Sequence, residues 1–408
     1  MTSPINTTPD PARWRWHALV MTVFVAVFLG RFAWPPLQTE AIASLGITNA
    51  EAGLFMNTFY MGYMATQLPG GMLSDRFGAK IVLAASLFIS GLATLMIYTI
   101  TTAEAGYFWR VVAGLGSGAV YSSCVKATVA GFPRAELGKA FGLMMMAPTL
   151  GTLIPNQLAP RLSLALGGWR PTFMAIGLGL LMLGLLFVII FPARRSGGPA
   201  ASGGASASPW TGLKFVLGDG RLRLLCAIGF CLLWGFLGFV SWGNQYLILE
   251  LGYSRMEAGH IMTTFGLVGL ATTFGAGVLT DKVRSKEMLL ALAYAAIIAG
   301  LIAFPIFKGA AGLAAAAGLV GAGVGASNAI LAVLTSLYAG PRWAATAGGA
   351  TGTIFQSAGM FVPFVLGWTV DLRGNYDLVW PLLAAPQVLA IIMIIFMVRI
   401  KPVDSETA

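Results

Sequence analysis

LGITNAEAGLFMNTFYMGYMATQLPGGMLSDRFGAK, residues 45–80, returns at residues 251–286 as LGYSRMEAGHIMTTFGLVGLATTFGAGVLTDKVRSK. Aligned without a gap at a shift of 206, the two segments agree at 14 of 36 positions. The shared residues include Glu51/Glu257, Gly53/Gly259, Gly71/Gly277, Asp75/Asp281 and Lys80/Lys286, with Arg76 opposite Lys282. A shift of half the chain means one unit built twice. In an apolar chain, parallel halves related by an axis along the membrane normal are a transporter arrangement, with the substrate site between them near the bilayer midplane.

The surrounding composition demands a membrane. Hydrophobic residues make up 57% of the 408, charged residues only 10%, and mean hydropathy is +0.80. Soluble domains carry about a quarter charged residues. Runs long enough for the roughly 20 helical residues of a hydrocarbon crossing fall near 17–43, 51–73, 79–100, 104–130, 136–162, 169–192, 221–248, 256–280, 286–306, 309–339, 343–370 and 376–399. The expected fold is all-α: twelve transmembrane helices in two six-helix pseudo-repeats, residues 1–192 and 221–408. The Gly/Ser/Ala-rich stretch within 193–220 reads as a flexible cytoplasmic linker.

The net charge of +10 is topology rather than a nucleic-acid patch. With a cytoplasmic N-terminus, seventeen Lys/Arg fall in inside loops and five (Arg161, Arg170, Arg255, Lys308, Arg373) in outside ones. That bias predicts a bacterial inner-membrane protein with both termini in the cytoplasm. No phosphate-cradling loop with a Lys-Ser/Thr ending is present, so the chain alone is not expected to be an ATP-driven pump. No cluster has metal-ligand spacing, no nucleophile–base pair marks an enzyme, and no cofactor is implied. His17 and His260 sit at helix starts and read as interfacial, as do Trp14/Trp16 and Trp368/Trp380.

Gly71-Met72-Leu73-Ser74-Asp75-Arg76-Phe77-Gly78-Ala79-Lys80, between spans two and three, resembles the signature loop of the major facilitator superfamily. Gly277 to Lys286 is similar to its degenerate second copy, and Arg110 to Gly118 to the superfamily's second motif. The resemblance implies alternating access, two bundles rocking about a central site. The loop also has a physical logic of its own. Asp75, just past span two, can meet the positive end of a neighbouring helix; Arg76 and Lys80 supply countercharge; Gly71 and Gly78 let backbones approach and turn. With Asp281 and Lys282 in the copy, these residues are expected to form a breakable latch between the halves.

The acidic residues all lie in loops or near span ends, whereas Arg31, Arg110 and Lys126 enter the membrane. An uncompensated positive cavity calls for an anion. Arg31 stands about 21 Å along a helix from His17, too deep to snorkel easily, and a charge there costs about 3 kcal/mol on insertion scales. Pro35-Pro36 follow, breaking the helix and freeing carbonyls; the competing reading pairs Arg31 with a carboxylate such as Glu40. Arg110 heads a stripe of Gly114, Ser117 and Tyr121. Lys126, about 160° round that helix, is expected to snorkel to the cytoplasm. Arg31, Arg110, Tyr60, Asn57, Gln356 and Tyr121 form the candidate substrate set. For Asn156, Gln157, Asn244, Gln245 and Asn328, interhelical hydrogen bonding is an even competitor.

In the superfamily's organic-anion:proton branch an acid commonly precedes the span-one arginine, and a glutamate follows the span-four arginine by seven. Here those positions are Gly30 and Ser117, which keeps the anion anchors but removes the usual proton carriers. Ala147 to Thr152 is only a weak likeness to the antiporter motif of drug exporters, lacking both flanking glycines. The expected function is secondary transport of a small organic anion, a carboxylate for preference, by a monomer using protons or exchange. The alternatives are a drug or metabolite exporter of the same fold and a non-transporting membrane sensor.

Overall fold

The computed structural model describes residues 12–133, 136–192, 209–280 and 282–399, so Asp281 lies outside the described residues. The described residues form helices joined by short turns, without strands. In the first half these are α1 (Arg13–Phe32), α2 (Trp34–Leu45), α3 (Asn49–Phe77), α4 (Ala79–Met96), α5 (Ala103–Ser117), α6 (Val120–Gly131), α7 (Leu137–Met144), α8 (Met146–Leu166) and α9 (Trp169–Ile190). After a short α10 (Pro209–Gly218) come α11 (Gly220–Gln245), α12 (Arg255–Thr280), α13 (Lys286–Ile306), α14 (Ala310–Gln356), α15 (Val362–Arg373) and α16 (Val379–Arg399). Gly340, at φ 70°, folds α14 back on itself, a left-handed turn that costs glycine little.

Nine helical runs among the described residues are long and apolar enough to cross a membrane. Three more polar runs, α3, α5–α6 and α7–α8, stand where spans two, four and five were expected. Below, the end of the bundle where α1 begins is called proximal, and the end where α2 stops at Gly46 is called distal.

The repeat explains itself in three dimensions. Thr48 caps α3 in a capping box with Glu51: Glu51 N donates to Thr48 Oγ1 (3.2 Å) and Thr48 N to Glu51 Oε2 (2.7 Å). Ser254 and Glu257 do the same for α12, at 3.3 and 2.9 Å. The shared glutamate is therefore a helix-start device. Gly46 and Gly252 precede these caps with φ of 65° and 71°. Gly53 and Gly259 each press a helix onto the backbone of the opposite half, against Pro363 and Asn156.

Interlocking of the halves is confined to the middle and distal levels. Distally, α3 packs on α15, α8 on α12 and α2 on α11. Gln38 Nε2 donates to Ser241 O (2.8 Å) and Gln245 Oε1, and Asn244 Nδ2 to Asn156 Oδ1 (2.8 Å). Gln157 Nε2 reaches Gly259 O (3.1 Å) and Thr263 Oγ1. Arg255 pairs with Glu40, which also accepts from Ser163 (2.6 Å). These bonds, together with Arg31 to Gln356 and Asn57 to Met360, lie from the level of Arg31 to the distal end. At the proximal end, added Cβ atoms at Gly71, Gly142, Gly275 and Gly277 would meet nothing within 4 Å. The molecule is closed distally by the contacts between its halves.

Candidate functional site

The site begins with a helix break. Pro35 has no N–H to give Arg31 O, the carbonyl four residues back, and the chain turns at Ala33 between α1 and α2. Across the bundle α14 ends at Gln356, a single 3-10 turn spans Ser357–Met360, and α15 starts at Val362. Two interrupted helices, one from each half, thus face each other at mid-depth. Broken helices at this level are where carriers expose polar backbone to cargo.

Arg31 sits at this junction, 2% exposed. Its Nη2 reaches Gln356 Oε1 across the halves at a long 3.4 Å, while Nε and Nη1 are buried without partners. Its guanidinium carbon lies 4.1, 4.9, 5.0, 5.2 and 5.5 Å from the ring centres of Tyr60, Tyr63, Phe32, Phe28 and Phe59. Ring faces attract a cation but satisfy none of its N–H donors. Glu40, the alternative partner weighed from the sequence, is engaged with Arg255 instead. Tyr60 Oη and Asn57 Oδ1 are likewise buried and unpartnered, and Asn57 Nδ2 donates to Met360 O (3.0 Å). Of the sequence candidates, the structure gathers Arg31, Tyr60, Asn57 and Gln356 into one constellation.

Arg110 is differently placed. It is fully enclosed, and its fork donates to Phe55 O (2.9 Å), Arg31 O (3.1 Å) and Gly30 O (3.4 Å), with Met56 Sδ at 3.1 Å. It serves the carbonyl that Pro35 leaves without a donor, and so fixes the bend on which Arg31 is mounted. Arg110→Lys is expected to lower folded stability by about 1–3 kcal/mol, because a point donor cannot reach all three carbonyls. Thermal unfolding in detergent checks this; an unchanged midpoint would show that the fork is dispensable. Tyr121 stands apart from the constellation, 42% exposed, its ring 6.2 Å from Phe24.

The first-copy latch residues, Gly71 to Lys80, make their contacts within their own half. Asp75 Oδ1 accepts from Lys126 Nζ (3.0 Å), which also donates to Ser74 O (2.8 Å), so Lys126 is held by span two rather than simply reaching for water. Gly78 makes the expected turn with φ 84°, Arg76 lies over Phe77, and Lys80 lies in the first turn of α4. No bond from Asp75, Arg76, Lys80 or Lys282 to the opposite half is found among the described residues.

Other expectations shift. His17 is buried, Nε2 2.9 Å from Ala140 O, rather than interfacial. Trp380 packs against Tyr246 and Phe304 while Trp368 stays exposed. Asn156, Gln157, Asn244 and Gln245 are all interhelical, and Asn328 is exposed. Sequence reasoning missed Asp371: Oδ1 accepts from Asn49 N (3.0 Å) and Asn49 Nδ2 (2.8 Å), and Oδ2 from Ala50 N (2.7 Å). A carboxylate of one half thereby sits on the N-terminus of α3 in the other, a position favoured by the helix dipole. Nothing local to Asp371 signals that partner.

A two-half bundle, closed at one end around a buried cation, is the architecture of a membrane carrier. The chain belongs to the Major Facilitator Superfamily, whose sequence profile matches residues 19–363. It is an integral membrane protein of a transporter family, not an enzyme. A probable sulfoacetate transporter of Cupriavidus necator is 28% identical over 82% of each chain. A hexuronate transporter of Bacillus subtilis is 24% identical over 89% of this chain and 90% of its own. In fold it resembles a bacterial homologue of the human lysosomal transporter Spinster in an inward-facing, occupied conformation, with a TM-score of 0.80 at 14% identity over 96% of this chain and 98% of the other.

Proposed function

We propose that the chain is a secondary carrier of a small organic anion, anchored by Arg31 and moved by alternating access between bundles 1–192 and 221–408. The carrying observation is the buried Arg31 fork with two donors unsatisfied and no carboxylate among its contacts. Desolvated charge of that kind is stable only with a countercharge supplied, and a carboxylate accepts from such a fork with two oxygens. The relatives support the sign of the cargo, since sulfoacetate and hexuronates are anions.

In this reading the proximal end is cytoplasmic, where the inside-positive loops and both termini lie, and the structure is the inward-open state of an inner-membrane monomer. Uptake of a monoanion against an inside-negative potential costs about 2.3 kcal/mol per 100 mV. Gly30 and Ser117 offer no proton site, so the proton travels on the substrate carboxyl or the carrier exchanges anions. The test is counterflow in proteoliposomes preloaded with a carboxylate or with its uncharged amide. Trans-stimulation by the acid and not the amide is the expected result. Flux of cationic amphiphiles alone would transfer the chain to the exporter reading.

A further inference from the structure

The geometry points to a narrower cargo: an anion with a single charge and an aromatic or apolar body, rather than a dianion or a polyhydroxylated acid. This rests on the reading of Arg31 as the anchor.

Charge supply is the first argument. Three basic side chains enter the bundle, and two are already committed. Arg110 is engaged by three carbonyls and Met56 Sδ, and Lys126 by Asp75 and Ser74 O. Among the described residues this leaves Arg31 as the intramembrane cation with unpaired donors. A second carboxylate or sulfonate on the cargo would enter the same dry site without a countercharge, which is strongly unfavourable.

Lining is the second argument, and it is independent of charge. From the exposed Tyr121 a chain of rings leads inward through Phe24, Phe28 and Phe32 and crosses to Phe236 of the other half, each ring centre 5.3–6.2 Å from the next. Phe28 and Phe236 are only partly buried, so Phe28 offers ring surface beside the guanidinium and Phe236 extends it from the other half across Phe32. Against this, the buried unpartnered polar atoms that helix α3 brings to this level are few, Tyr60 Oη and Asn57 Oδ1, with Gln67 Oε1 further along the helix. Two such atoms can serve one or two hydroxyls. A sugar acid would keep the rest of its hydroxyls unbonded against rings, and unpaired polar groups in a dry site discriminate strongly. The sulfoacetate and hexuronate of the relatives each fail one of these two criteria, so the chain's specificity departs from theirs.

The test is thermal stabilisation of the purified protein by phenylacetate, succinate, gluconate and phenylacetamide, with Phe28→Ala/Phe236→Ala beside the wild type. Phenylacetate is expected to reach half-maximal stabilisation at a concentration roughly tenfold or more below succinate and gluconate. The double variant should shrink that ratio severalfold, because it removes ring surface that phenylacetate uses and succinate does not. Succinate or gluconate binding as tightly as phenylacetate would overturn this inference and leave the anion anchor standing. Equal binding of phenylacetate and phenylacetamide would overturn the anchor, and this inference with it.

Discussion

Arg31→Gln is expected to lower affinity for the carried anion by about 2–5 kcal/mol, on the order of thirty- to several-thousand-fold, and to abolish measurable counterflow. The magnitude follows from what the guanidinium has and lacks. Two donors are buried and unpaired, so an arriving carboxylate forms charge-assisted bonds without displacing a protein partner. Each such bond contributes about 1.5–3 kcal/mol. Glutamine keeps a polar group able to meet Gln356 and removes a charge whose burial costs about 3 kcal/mol, so folding is not what fails. Arg31→Lys should fall between the two, retaining the charge but losing the planar fork. Titrating stabilisation by a bound acid against each variant checks the series. If Arg31→Gln binds acids as well as the wild type, the ring-caged arginine is a structural cation.

This asymmetry between Arg31 and Arg110 shows where the sequence stops being legible. Both were readable as membrane-embedded arginines, and the Pro35-Pro36 break was readable as a source of free carbonyls. That Arg110 would serve the freed Arg31 carbonyl was not, because the donor and that carbonyl lie 79 residues apart and only packing brings them together. The repeat was visible as identities, but its meaning is local geometry: Glu51 and Glu257 close capping boxes, and Gly53 and Gly259 admit a foreign backbone. Lys126 was expected to snorkel to the cytoplasm, yet it is held by Asp75 and Ser74 of another helix. Asp371 and the Glu40–Arg255 pair were invisible for a further reason. They belong to one conformation, and a sequence describes all conformations at once.

Gly53→Leu is expected to reduce transport by up to about a hundredfold while preserving binding of the anion, because it disfavours the distal closure seen here. A Cβ at Gly53 would lie 2.3 Å from Pro363 O, 2.6 Å from Pro363 C and 2.9 Å from Phe364 Cα. All three are backbone atoms of α15, so no rotamer change relieves the clash. On the same seam, a Cβ at Gly367 would lie 2.3 Å from Asn49 O, and Asp371 holds Asn49 N and Ala50 N. Helices α3 and α15 therefore meet backbone to backbone over several turns, and that contact exists only with the distal end shut. Overpacking of a close seam costs about 1–3 kcal/mol, occasionally more. The two states of such a protein differ by only a few kcal/mol, so about 3 kcal/mol changes their ratio on the order of a hundredfold. The released halves would pivot toward the opposite arrangement, for which the open space around Gly71 and Gly277 leaves room. Gln38→Cys reports the outcome, since Gln38 is 1% exposed within the closed distal interface. In the Gly53→Leu background an impermeant thiol reagent should label it rapidly from the distal side, and in the wild-type background slowly. Equal labelling in both, with transport intact, would mean that α3 and α15 do not gate the distal path.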